Sequence, residues 1–377
     1  MKIAIIDPVG IKAGMNCYDL GLLNALQEKK VEAYSFSNFY DEQYPHVHQY
    51  NLFLFKKKNI FSTLLNYVTA HLRAVILCRR KGVKWIVFHV FSTTAKDYFS
   101  FVLFKIFRLK PIAIIHDVES LTDADVGFFK KQIYKLSAKL VVHNRTSERT
   151  LIKSLKENEK KKLQVIPHGN YIPFVSAVRR TDFFSDELAF DPRYKYLLFF
   201  GQIKRVKGLD VLLKAVPYLP SEYKVIVAGR PQKDDMVYYR AIIKELAIED
   251  RVKLVIRYIT DEERNFLFEK CDALILPYRK IFQSGVLLLA MSYQLPVVVS
   301  DLPANREIIC DGENGMIFRD GDAADLAKKV MLLFQDNAIE RVRQAAYQTV
   351  TAHYSWPEIA DKYLQLTGKK NLRQQHA

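Results

Sequence analysis

Residues that could stabilise a phosphate group occur first in the stretch GQIKRVKG, residues 201–208. Lys204, Arg205 and Lys207 lie here between Gly201 and Gly208. Three cations on a glycine-bounded loop could clamp a pyrophosphate and stabilise the negative charge that develops on a leaving diphosphate. The alternative is an ordinary solvated turn between a strand and a helix.

A second such stretch is Gln283-Ser284-Gly285, which separates an apolar strand predicted over Ala273–Leu276 from an apolar helix predicted over 286–291. The first N–H groups of a helix have no intrahelical acceptor. The N-terminus also carries roughly half a positive charge, which suits a phosphate. The alternative is that Gly285 only lets the chain turn and that the helix belongs to the core.

The N-terminal half offers candidate residues at two predicted strand ends. His116 and Asp117 follow an apolar strand over 111–115, and Gly14 follows the first strand, Lys2 to Asp7. Ligands of open α/β sheets bind beyond the carboxyl ends of the strands. A single histidine at a strand end is more often structural than catalytic, and Asp117 could either orient its ring or cap a turn.

Strand and helix patterns alternate along almost the whole chain, which predicts doubly wound parallel sheets. The rhythm breaks at 173–194, a stretch without a clear period. We therefore predict an N-terminal domain over 1–172, a linker over 173–194 and a C-terminal domain over 195–355. A final helix at about 356–370 is predicted to cross back onto the first domain.

Composition narrows the class of protein. The four cysteines among 377 residues are scattered and form no CxxC pair, which argues against a disulfide scaffold or structural zinc and favours a reducing cytoplasm. The strand pattern directly after Met1 predicts no signal peptide. No run of about 18 uncharged apolar residues was identified, so we expect no membrane-spanning helix.

The net charge of +16 is concentrated in one region. Residues 51–110 hold 12 basic residues and a single acid, Asp97, interleaved with many phenylalanines and leucines. This combination suits an anionic membrane surface, where each cation contributes about 1 kcal/mol. A solvated basic face over core helices is the second interpretation. Nucleic acid is the third, although no known nucleic-acid-binding motif is present.

Several of these stretches also carry a family resemblance. FFGQIKRVKGLDVLLKA resembles the start of the second domain in glycosyltransferase family 4, and LPYxxxxQSGVLLLAxxxxLPVVVSDLxxxxE resembles its donor-phosphate loop and following strand. In the first half, IIHDVESL and VIPHGNY are similar to segments of a bacterial branch with a QSG phosphate loop. The resemblance thus spans nearly the whole chain.

The resemblance implies a GT-B fold, in which two Rossmann-like domains face each other across a cleft. It also implies transfer from a nucleotide-sugar without a metal or other cofactor, usually with retention at the anomeric carbon. The donor would lie on the second domain and the acceptor against the first. Matched by position, Lys207 is the family lysine on the donor diphosphate, Ser284 and Gly285 form its phosphate loop, His116 is the first-domain histidine at the sugar site, and Gly14 is in the glycine loop near the phosphates and acceptor. We therefore expect His116 and Lys207 as catalytic groups; Gly201, Lys204, Arg205, Lys207, Gln283, Ser284 and Gly285 as donor-binding residues; and Gly14, Asn16 and Asp117 on the acceptor side.

The chain departs from the family pattern at three positions. Gln202 stands where the family has an arginine, so a neighbouring cation would have to replace it. Ile281 and Leu289 stand where many members have glutamates that contact the donor sugar and the ribose. Gln283 could replace the first glutamate. These departures put donor identity and ribose recognition in question.

Taken together, the sequence predicts hexosyl transfer from a nucleoside-diphosphate sugar to a hydroxyl of a lipid-linked glycan during surface polysaccharide assembly. The protein would lie peripherally at the inner face of the cell membrane, held there by residues 51–110. A non-catalytic binding subunit of a glycan-assembly complex is the alternative. A nucleotide-sugar epimerase is a third hypothesis, and it would need carboxylates around His116 such as Asp117 and Glu119.

Overall fold

The structure is a computed structural model that describes residues 1–54, 59–91, 93–118, 127–175, 188, 190–232 and 236–368. The chain divides into two compact units. Unit 1 comprises Met1–Gly169 and Tyr354–Ala377, and unit 2 comprises Asn170–His353. The predicted domain boundaries, 172 and 355, lie close to these divisions. Most of the predicted linker, at 176–187 and 189, lies outside the described residues.

Unit 1 is built on a seven-stranded parallel sheet in the order β3-β2-β1-β4-β5-β6-β7. Its strands are Lys2–Ile6 (β1), Glu32–Ser37 (β2), His48–Asn51 (β3), Trp85–Val90 (β4), Lys110–Ile115 (β5), Lys139–Val142 (β6) and Leu163–Val165 (β7). Most of these strands are nearly continuous apolar runs, as expected where helices cover both faces of a sheet. The edge strand β3 was not predicted, because its residues HQYN are polar and only partly buried.

The helices of unit 1 follow the strands with short connections. They are Asn16–Glu28 (α1), Ile60–Lys81 (α2), Ala95–Ile106 (α3), Gly127–Leu136 (α4), Arg145–Ile152 (α5), Glu157–Lys160 (α6) and Trp356–Leu366 (α14). Helix α14 packs against α1, where the Tyr18 and Tyr363 hydroxyls hydrogen-bond at 2.8 Å. A Cβ at Gly21 would lie 2.3 Å from the Trp356 ring, so the glycine permits this close approach.

Contrary to the expectation from the sequence, one helical stretch among the described residues, Phe61–Lys81, is long and apolar enough to cross a membrane by length and composition. Its sequence contains Arg73. The buried face of this helix, which includes Ala74, Val75 and Cys78, has no exposed surface. That face lies in the interior of unit 1, but only 33% of the apolar stretch is buried, so α2 is a surface helix with one buried face.

Unit 2 contains a six-stranded parallel sheet in the order β10-β9-β8-β11-β12-β13. Its strands are Lys195–Phe200 (β8), Tyr223–Ala228 (β9), Val252–Val255 (β10), Ala273–Leu276 (β11), Val297–Ser300 (β12) and Met316–Phe318 (β13). Its helices are Leu209–Ala215 (α7), Met236–Glu245 (α8), Asp261–Lys270 (α9), Gly285–Ser292 (α10), Pro303–Arg306 (α11), Ala323–Leu333 (α12) and Ala338–His353 (α13).

The strand order reverses direction once in each sheet, between β1 and β4 in unit 1 and between β8 and β11 in unit 2. In open parallel sheets, ligands bind beyond the carboxyl ends of the strands at such a switch point. The predicted two-domain, doubly wound architecture is confirmed. The loops that follow these four strands are therefore where each unit should carry its site.

Candidate substrate sites in the two units

In unit 2, the loops that follow β8 and β11 are held together through their backbones. The Arg279 N–H donates to the Val206 carbonyl at 2.9 Å. Gly208 has a φ of +66°, and a Cβ there would lie 1.8 Å from the Pro277 carbonyl oxygen. Only glycine fits this approach, so the cationic loop is fixed against the strand end that precedes Gln283-Ser284-Gly285.

Two cations of the loop rest on tyrosine rings. The Lys207 ammonium lies 3.7 Å from the centroid of the Tyr278 ring, and the Arg205 guanidinium lies 3.4 Å from that of Tyr238. Within the described residues, Lys207 makes no salt bridge to a carboxylate. A cation–π contact contributes only about 0.5–2 kcal/mol. The charge of Lys207 is therefore positioned but remains available to an anionic ligand.

An ion pair that the sequence did not suggest supports the same loop. The Arg279 guanidinium donates two hydrogen bonds to the Asp210 carboxylate, at 2.8 and 2.7 Å, and a third to the Arg205 carbonyl at 3.3 Å. Burial tends to raise the pKa of Asp210, but the Arg279 hydrogen bonds outweigh it and lower that pKa. No spacing rule links positions 210 and 279, because only the folded sheet brings α7 and the loop after β11 together.

The phosphate-loop prediction falls on the start of α10. Ser284 is the N-cap, and its Oγ accepts a hydrogen bond from the Leu287 N–H at 3.2 Å. The N–H groups of Gly285 and Val286 have no acceptor within the helix. A Cβ at Gly285 would lie 2.8 Å from the Tyr171 hydroxyl. Glycine thus keeps the backbone accessible at this helix N-terminus.

The side chains around this N-terminus differ in exposure. Gln283 is partly exposed, as is Ile281, which takes the place of the first family glutamate. Leu289 takes the place of the second, and it is buried within α10. Neither replacement offers a polar atom to a nucleotide-sugar. Gln283 therefore remains the candidate among these positions for a polar contact with the donor.

In unit 1, a histidine lies at or just beyond the carboxyl end of each of four neighbouring strands. His89 is the penultimate residue of β4, and His116, His143 and His168 follow β5, β6 and β7. Successive ring centroids are separated by 5.0, 5.4 and 5.5 Å. The sequence alone singled out only His116. The missed signal was the repetition, because each of four consecutive apolar strands ends near a histidine.

An aromatic side chain from α1 packs against this histidine cluster. The ring of Tyr18 contacts His89, His143 and His168 at centroid distances of 5.1, 5.5 and 4.8 Å. Its hydroxyl is held by Tyr363 of α14. The histidine cluster is therefore packed against Tyr18, whose position is fixed by a side chain of the C-terminal helix.

Two histidines of the cluster are held neutral by their surroundings. Nδ1–H of His143 donates to the Ile166 carbonyl at 2.8 Å, and Nδ1–H of His168 donates to the Gly169 carbonyl at 2.6 Å. Burial lowers the pKa of His143 to about 3 and that of His168 to about 4. Their fixed tautomers leave the proton chemistry of the cluster to the other two histidines.

Those two histidines form a continuous hydrogen-bonded chain with Asp19 of α1. His89 Nε2 lies 2.9 Å from Asp19 Oδ1, and His89 Nδ1 lies 2.8 Å from His116 Nε2. Burial and the charge of nearby Asp7 raise the pKa of Asp19 to about 7. Burial acts to lower the pKa of His89, but the hydrogen bond and charge of Asp19 raise it. Burial and His89 lower the pKa of His116 well below its usual value.

The acidic end of this hydrogen-bonded chain has the residue types of a metal site. Ligand atoms of Asp7, Asp19 and His89 lie within 4.8 Å of one another, the one such group found among the described residues. Both ring nitrogens of His89 are already engaged in hydrogen bonds. We therefore interpret the group as a hydrogen-bonded charge cluster.

The remaining acceptor-side residues lie at the same edge of the sheet. Gly14 has a φ of +69° and ends the short turn Gly10–Ala13 after β1. Asn16 begins α1 two residues later. Asp117 follows His116 and is partly exposed. Glu119, the other carboxylate considered for epimerisation, lies outside the described residues.

Comparison with known proteins identifies part of the chain. Residues 180–349 match the family model described as glycosyl transferases group 1. The chain carries a group 1 glycosyltransferase domain. The QSG branch proposed from the sequence stays a prediction.

Curated relatives of the group 1 domain match over part of their length. The lipopolysaccharide core biosynthesis glycosyltransferase LpsE of Rhizobium meliloti is 26% identical over 171 residues, covering 45% of this chain and 48% of the relative. A GDP-mannose:glycolipid 4-β-D-mannosyltransferase of Xanthomonas campestris is 26% identical over 179 residues, covering 46% and 49%. The chain thus spans about half the length of the curated relatives it matches.

Solved structures match over the whole chain and show the fold. HepE of Anabaena, in complex with UDP-glucose, has a TM-score of 0.72 at 16% identity, covering 98% of this chain and all of that one. Sucrose-phosphate synthase of Thermosynechococcus elongatus has a TM-score of 0.71 at 18% identity, covering 98% of both chains. The GT-B fold expected from the resemblance is therefore confirmed.

Within the group 1 domain, the predicted donor residues occupy the two loops at the switch point of the unit 2 sheet. His116 and the acceptor-side residues occupy the corresponding edge of the unit 1 sheet. Their roles stay predictions. The structure adds Arg279 and Asp210 to the first set, and Asp19, His89, His143 and His168 to the second.

Proposed function

We propose that the protein is a glycosyltransferase that moves a hexosyl unit from a nucleoside-diphosphate sugar to a hydroxyl of a glycan acceptor. The observation that carries the proposal is the position of Lys207, which has no carboxylate partner among the described residues. It lies in the loop after β8, in which a Cβ at Gly201 would be 4.0 Å from Val286 in the first turn of α10. A positioned cation without a carboxylate partner and a helix N-terminus at one switch point suit a diphosphate.

The proposed roles follow from these positions. Lys207, with Lys204 or Arg205 and the backbone N–H groups of Ser284 and Gly285, would stabilise the diphosphate as it leaves. Fixed cations can supply this stabilisation without a metal ion. We therefore propose metal-independent transfer that needs no further cofactor. We propose that the transfer retains the configuration at the anomeric carbon, as the family resemblance implies.

The similar proteins support this substrate class. HepE, of the same fold, is described in complex with UDP-glucose. The Xanthomonas relative is named for GDP-mannose and a glycolipid, and the Rhizobium relative for lipopolysaccharide core biosynthesis. By analogy, we propose that this chain uses a nucleotide-sugar donor and a lipid-linked glycan acceptor of surface polysaccharide assembly.

We further propose that α2 holds the protein peripherally at the inner face of the cell membrane, where such an acceptor would lie. The first turns of α2 expose Phe61, Leu64 and Leu65, and Phe61 is 75% exposed. The last turn exposes Arg79 and Arg80. Apolar side chains and cations on one exposed helix suit an anionic lipid surface. The lysines at 56–58, which belong to the predicted membrane-binding region, lie outside the described residues.

The test is a thermal-shift screen against UDP, GDP, ADP and their sugars. At a free ligand concentration of about one hundred times Kd, binding should stabilise the protein by about 2.7 kcal/mol. Lys207→Met should weaken binding of the nucleotide that produces the thermal shift about 10- to 100-fold, because a charge-assisted contact is lost. Lys214→Met, on the exposed face of α7, is the matched control and should bind normally.

Turnover separates the two functional hypotheses. The wild-type protein should consume the nucleotide-sugar that binds in the thermal-shift screen. In the absence of an acceptor, the expected reaction is hydrolysis to the free sugar. Binding that depends on Lys207 without any turnover on a lipid-linked acceptor would favour the non-catalytic subunit. Absence of any nucleotide-dependent shift would contradict the donor site itself.

A further inference from the structure

We propose that the Tyr171 hydroxyl is a further phosphate-binding group of the donor site in unit 2, beside the N-terminus of α10. The proposal rests on the proposed glycosyl transfer and deepens it, because it adds a donor-binding side chain from the segment by which the chain enters unit 2. The predicted boundary at 172 assigned Tyr171 to the first domain. In the structure, Tyr171 belongs to unit 2, as do all the residues that hold it.

The backbone of Tyr171 is attached to the C-terminal end of α10. Its N–H donates to the Ser292 Oγ at 2.9 Å, and that hydroxyl donates to the Leu288 carbonyl at 2.7 Å. Ser292 is the last residue of α10. The side chain of the preceding residue, Asn170, donates to the Val350 carbonyl of α13 at 3.0 Å. Two helices of unit 2 therefore fix the position of the Tyr171 backbone.

The side chain of Tyr171 extends from there to the opposite end of α10. A Cβ on the first residue of the helix, Gly285, would lie 2.8 Å from the Tyr171 hydroxyl oxygen and 3.8 Å from Cζ, the ring carbon that bears it. Tyr171 is only 9% exposed, so its ring is held by packing. The hydroxyl is thus the part of the side chain nearest to Gly285, beside the main chain that begins the helix.

The hydroxyl is close enough to the first N–H of α10 to share a phosphate with it. A Cβ lies about 2.5 Å from the nitrogen of its own residue, so the Tyr171 oxygen is no more than about 5.3 Å from the Gly285 nitrogen. Donor–acceptor distances of about 2.9 Å for N–H and about 2.7 Å for O–H add up to more than this gap. Both groups can therefore donate to one phosphate.

A phenol complements the other groups of the donor site. Its hydroxyl is neutral at physiological pH and donates one directed hydrogen bond. Lys207 supplies a positive charge, and the N-terminus of α10 supplies backbone donors. An O–H group that donates to an ionised oxygen forms a short and strong bond. The ligand that these groups fit is a phosphate of a nucleoside diphosphate.

The position of Tyr171 in the chain gives this contact a second effect. Gly169 is the last residue of unit 1 before the chain enters unit 2. The Phe174 N–H then donates to the Tyr171 carbonyl at 2.8 Å and closes the short turn Ile172–Phe174. A phosphate bound by Tyr171 and the Gly285 N–H adds an attachment between this turn and α10. Donor binding should therefore slow the local opening of residues 171–175.

The first experiment locates the hydroxyl without a ligand. Gly285→Ala places a methyl group 2.8 Å from the Tyr171 oxygen, and Tyr171→Phe removes that oxygen and leaves 3.8 Å to the ring. The φ of Gly285 lies outside the left-handed region, so only the contact is tested. We expect Gly285→Ala to lower the urea midpoint of the wild type about twice as much as that of Tyr171→Phe. Equal losses would place the hydroxyl elsewhere and overturn the proposal.

The second experiment measures the phosphate contact by titration calorimetry with UDP, GDP and ADP. Tyr171→Phe keeps the ring and should raise the Kd of the nucleotide that binds about 10- to 30-fold, because a hydrogen bond to a charged group is lost. Tyr293→Phe is the matched control, since it removes a hydroxyl that bonds Asn265 at the other end of α10. Its Kd should equal that of the wild type. An unchanged Kd for Tyr171→Phe would overturn the proposal while the donor site stands.

Hydrogen exchange separates the phosphate contact from a merely structural role. At saturation with the same nucleotide, amide exchange in 171–175 should slow at least about fivefold in the wild type and in Tyr293→Phe. It should not slow in Tyr171→Phe. Protection that persists in Tyr171→Phe would show that the hydroxyl does not hold the phosphate.

Inorganic pyrophosphate distinguishes failure of this proposal from failure of the proposed function. If none of the nucleotides binds, the proposed function fails. Exchange is then measured with pyrophosphate alone at millimolar concentration. Protection of 171–175 that is lost in Tyr171→Phe would support the phosphate contact, and absence of protection in the wild type would overturn it as well.

Discussion

The two units share one architecture but build their candidate sites from different materials. The unit 2 site consists of cations and backbone N–H groups on glycine-containing loops. The unit 1 site consists of histidines and tyrosines packed side chain to side chain. Eight of the nine histidines belong to unit 1, and the exposed His353 is the exception.

This difference teaches how each site should respond to perturbation. Lysine, arginine and backbone N–H groups keep their charge or polarity across the physiological pH range, so the unit 2 site depends on backbone position. Buried histidines change proton affinity with their surroundings. The unit 1 site therefore depends on protonation, and each unit should be vulnerable to a different kind of change.

The largest expected effect comes from the backbone contact in unit 2. Gly208→Ala would place a Cβ 1.8 Å from the Pro277 carbonyl oxygen at a φ of +66°. We expect it to lower the free energy of unfolding by about 3 kcal/mol or more and to abolish the nucleotide-dependent thermal shift. Urea denaturation followed by far-UV circular dichroism, with the thermal-shift screen, measures both effects.

Gly312→Ala provides a matched control in the same unit. Gly312 also has a positive φ, +79°, but a Cβ there would have no atom within 4 Å. Its substitution should cost only about 1 kcal/mol, from backbone strain alone. Equal costs for the two variants would contradict the importance of the contact between the loops.

The second prediction concerns acid sensitivity of unit 1. Burial lowers the pKa of His71 and of His168 to about 4, and that of His143 to about 3. Because the folded values lie below the unfolded value, the stability these groups contribute is complete above pH 6.5 and is lost as the pH falls towards 4. Each of the three histidines should lower the free energy of unfolding by about 2 kcal/mol at pH 5.

Asp19 opposes this loss. Its pKa of about 7 lies above the unfolded value, so it adds stability as the pH falls from 7 towards 4. The net loss in unit 1 between pH 7 and pH 5 should be about 3 kcal/mol. Both tryptophans, Trp85 and Trp356, belong to unit 1. Urea denaturation followed by tryptophan fluorescence therefore reports it selectively, and an unshifted midpoint at pH 5 would contradict the comparison.

The smallest expected effect tests the surface of unit 1. Replacing Phe61, Leu64 and Leu65 together by serine should weaken binding to vesicles that contain anionic lipid about tenfold, because apolar contact is lost. Tyr218→Ser with Val237→Ser removes similarly exposed side chains from unit 2 and is the control. Cosedimentation measures both. Equal binding to neutral vesicles would remove the electrostatic part of the proposal.

How far the sequence could predict the structure differs between the units. Apolar strands and glycine loops are local signals, so the unit 2 loops could be predicted from the sequence. The close contact of the Gly208 backbone with Pro277 explains why the two loops lie together. The Arg279–Asp210 pair was not predictable, because it joins residues far apart in the chain. Helix α13 was also missed, since its long polar face obscures the apolar period over Val342, Ala346 and Val350.

In unit 1, the sequence singled out one histidine of four. Each histidine alone looks like an ordinary strand-end residue. The grouping becomes visible only when the order of β4 to β7 places those ends side by side. Asp19 was harder still to anticipate, because a carboxylate within an apolar stretch of α1 gives no local sign of its partner 70 residues away.

The docking of α14 on α1 has a consequence for how the protein is made. Tyr363 and Trp356 complete the interior of unit 1, yet they follow all of unit 2 in the chain. During synthesis, all of unit 2 is translated before α14, the last helix of unit 1. Unit 2 can therefore fold before unit 1 is complete, which reverses the usual order in which N-terminal domains fold first. Until α14 emerges from the ribosome, Tyr18 and the apolar face of α1 stay uncovered. We expect the nascent chain to be more prone to aggregation during that interval, because this apolar surface is exposed.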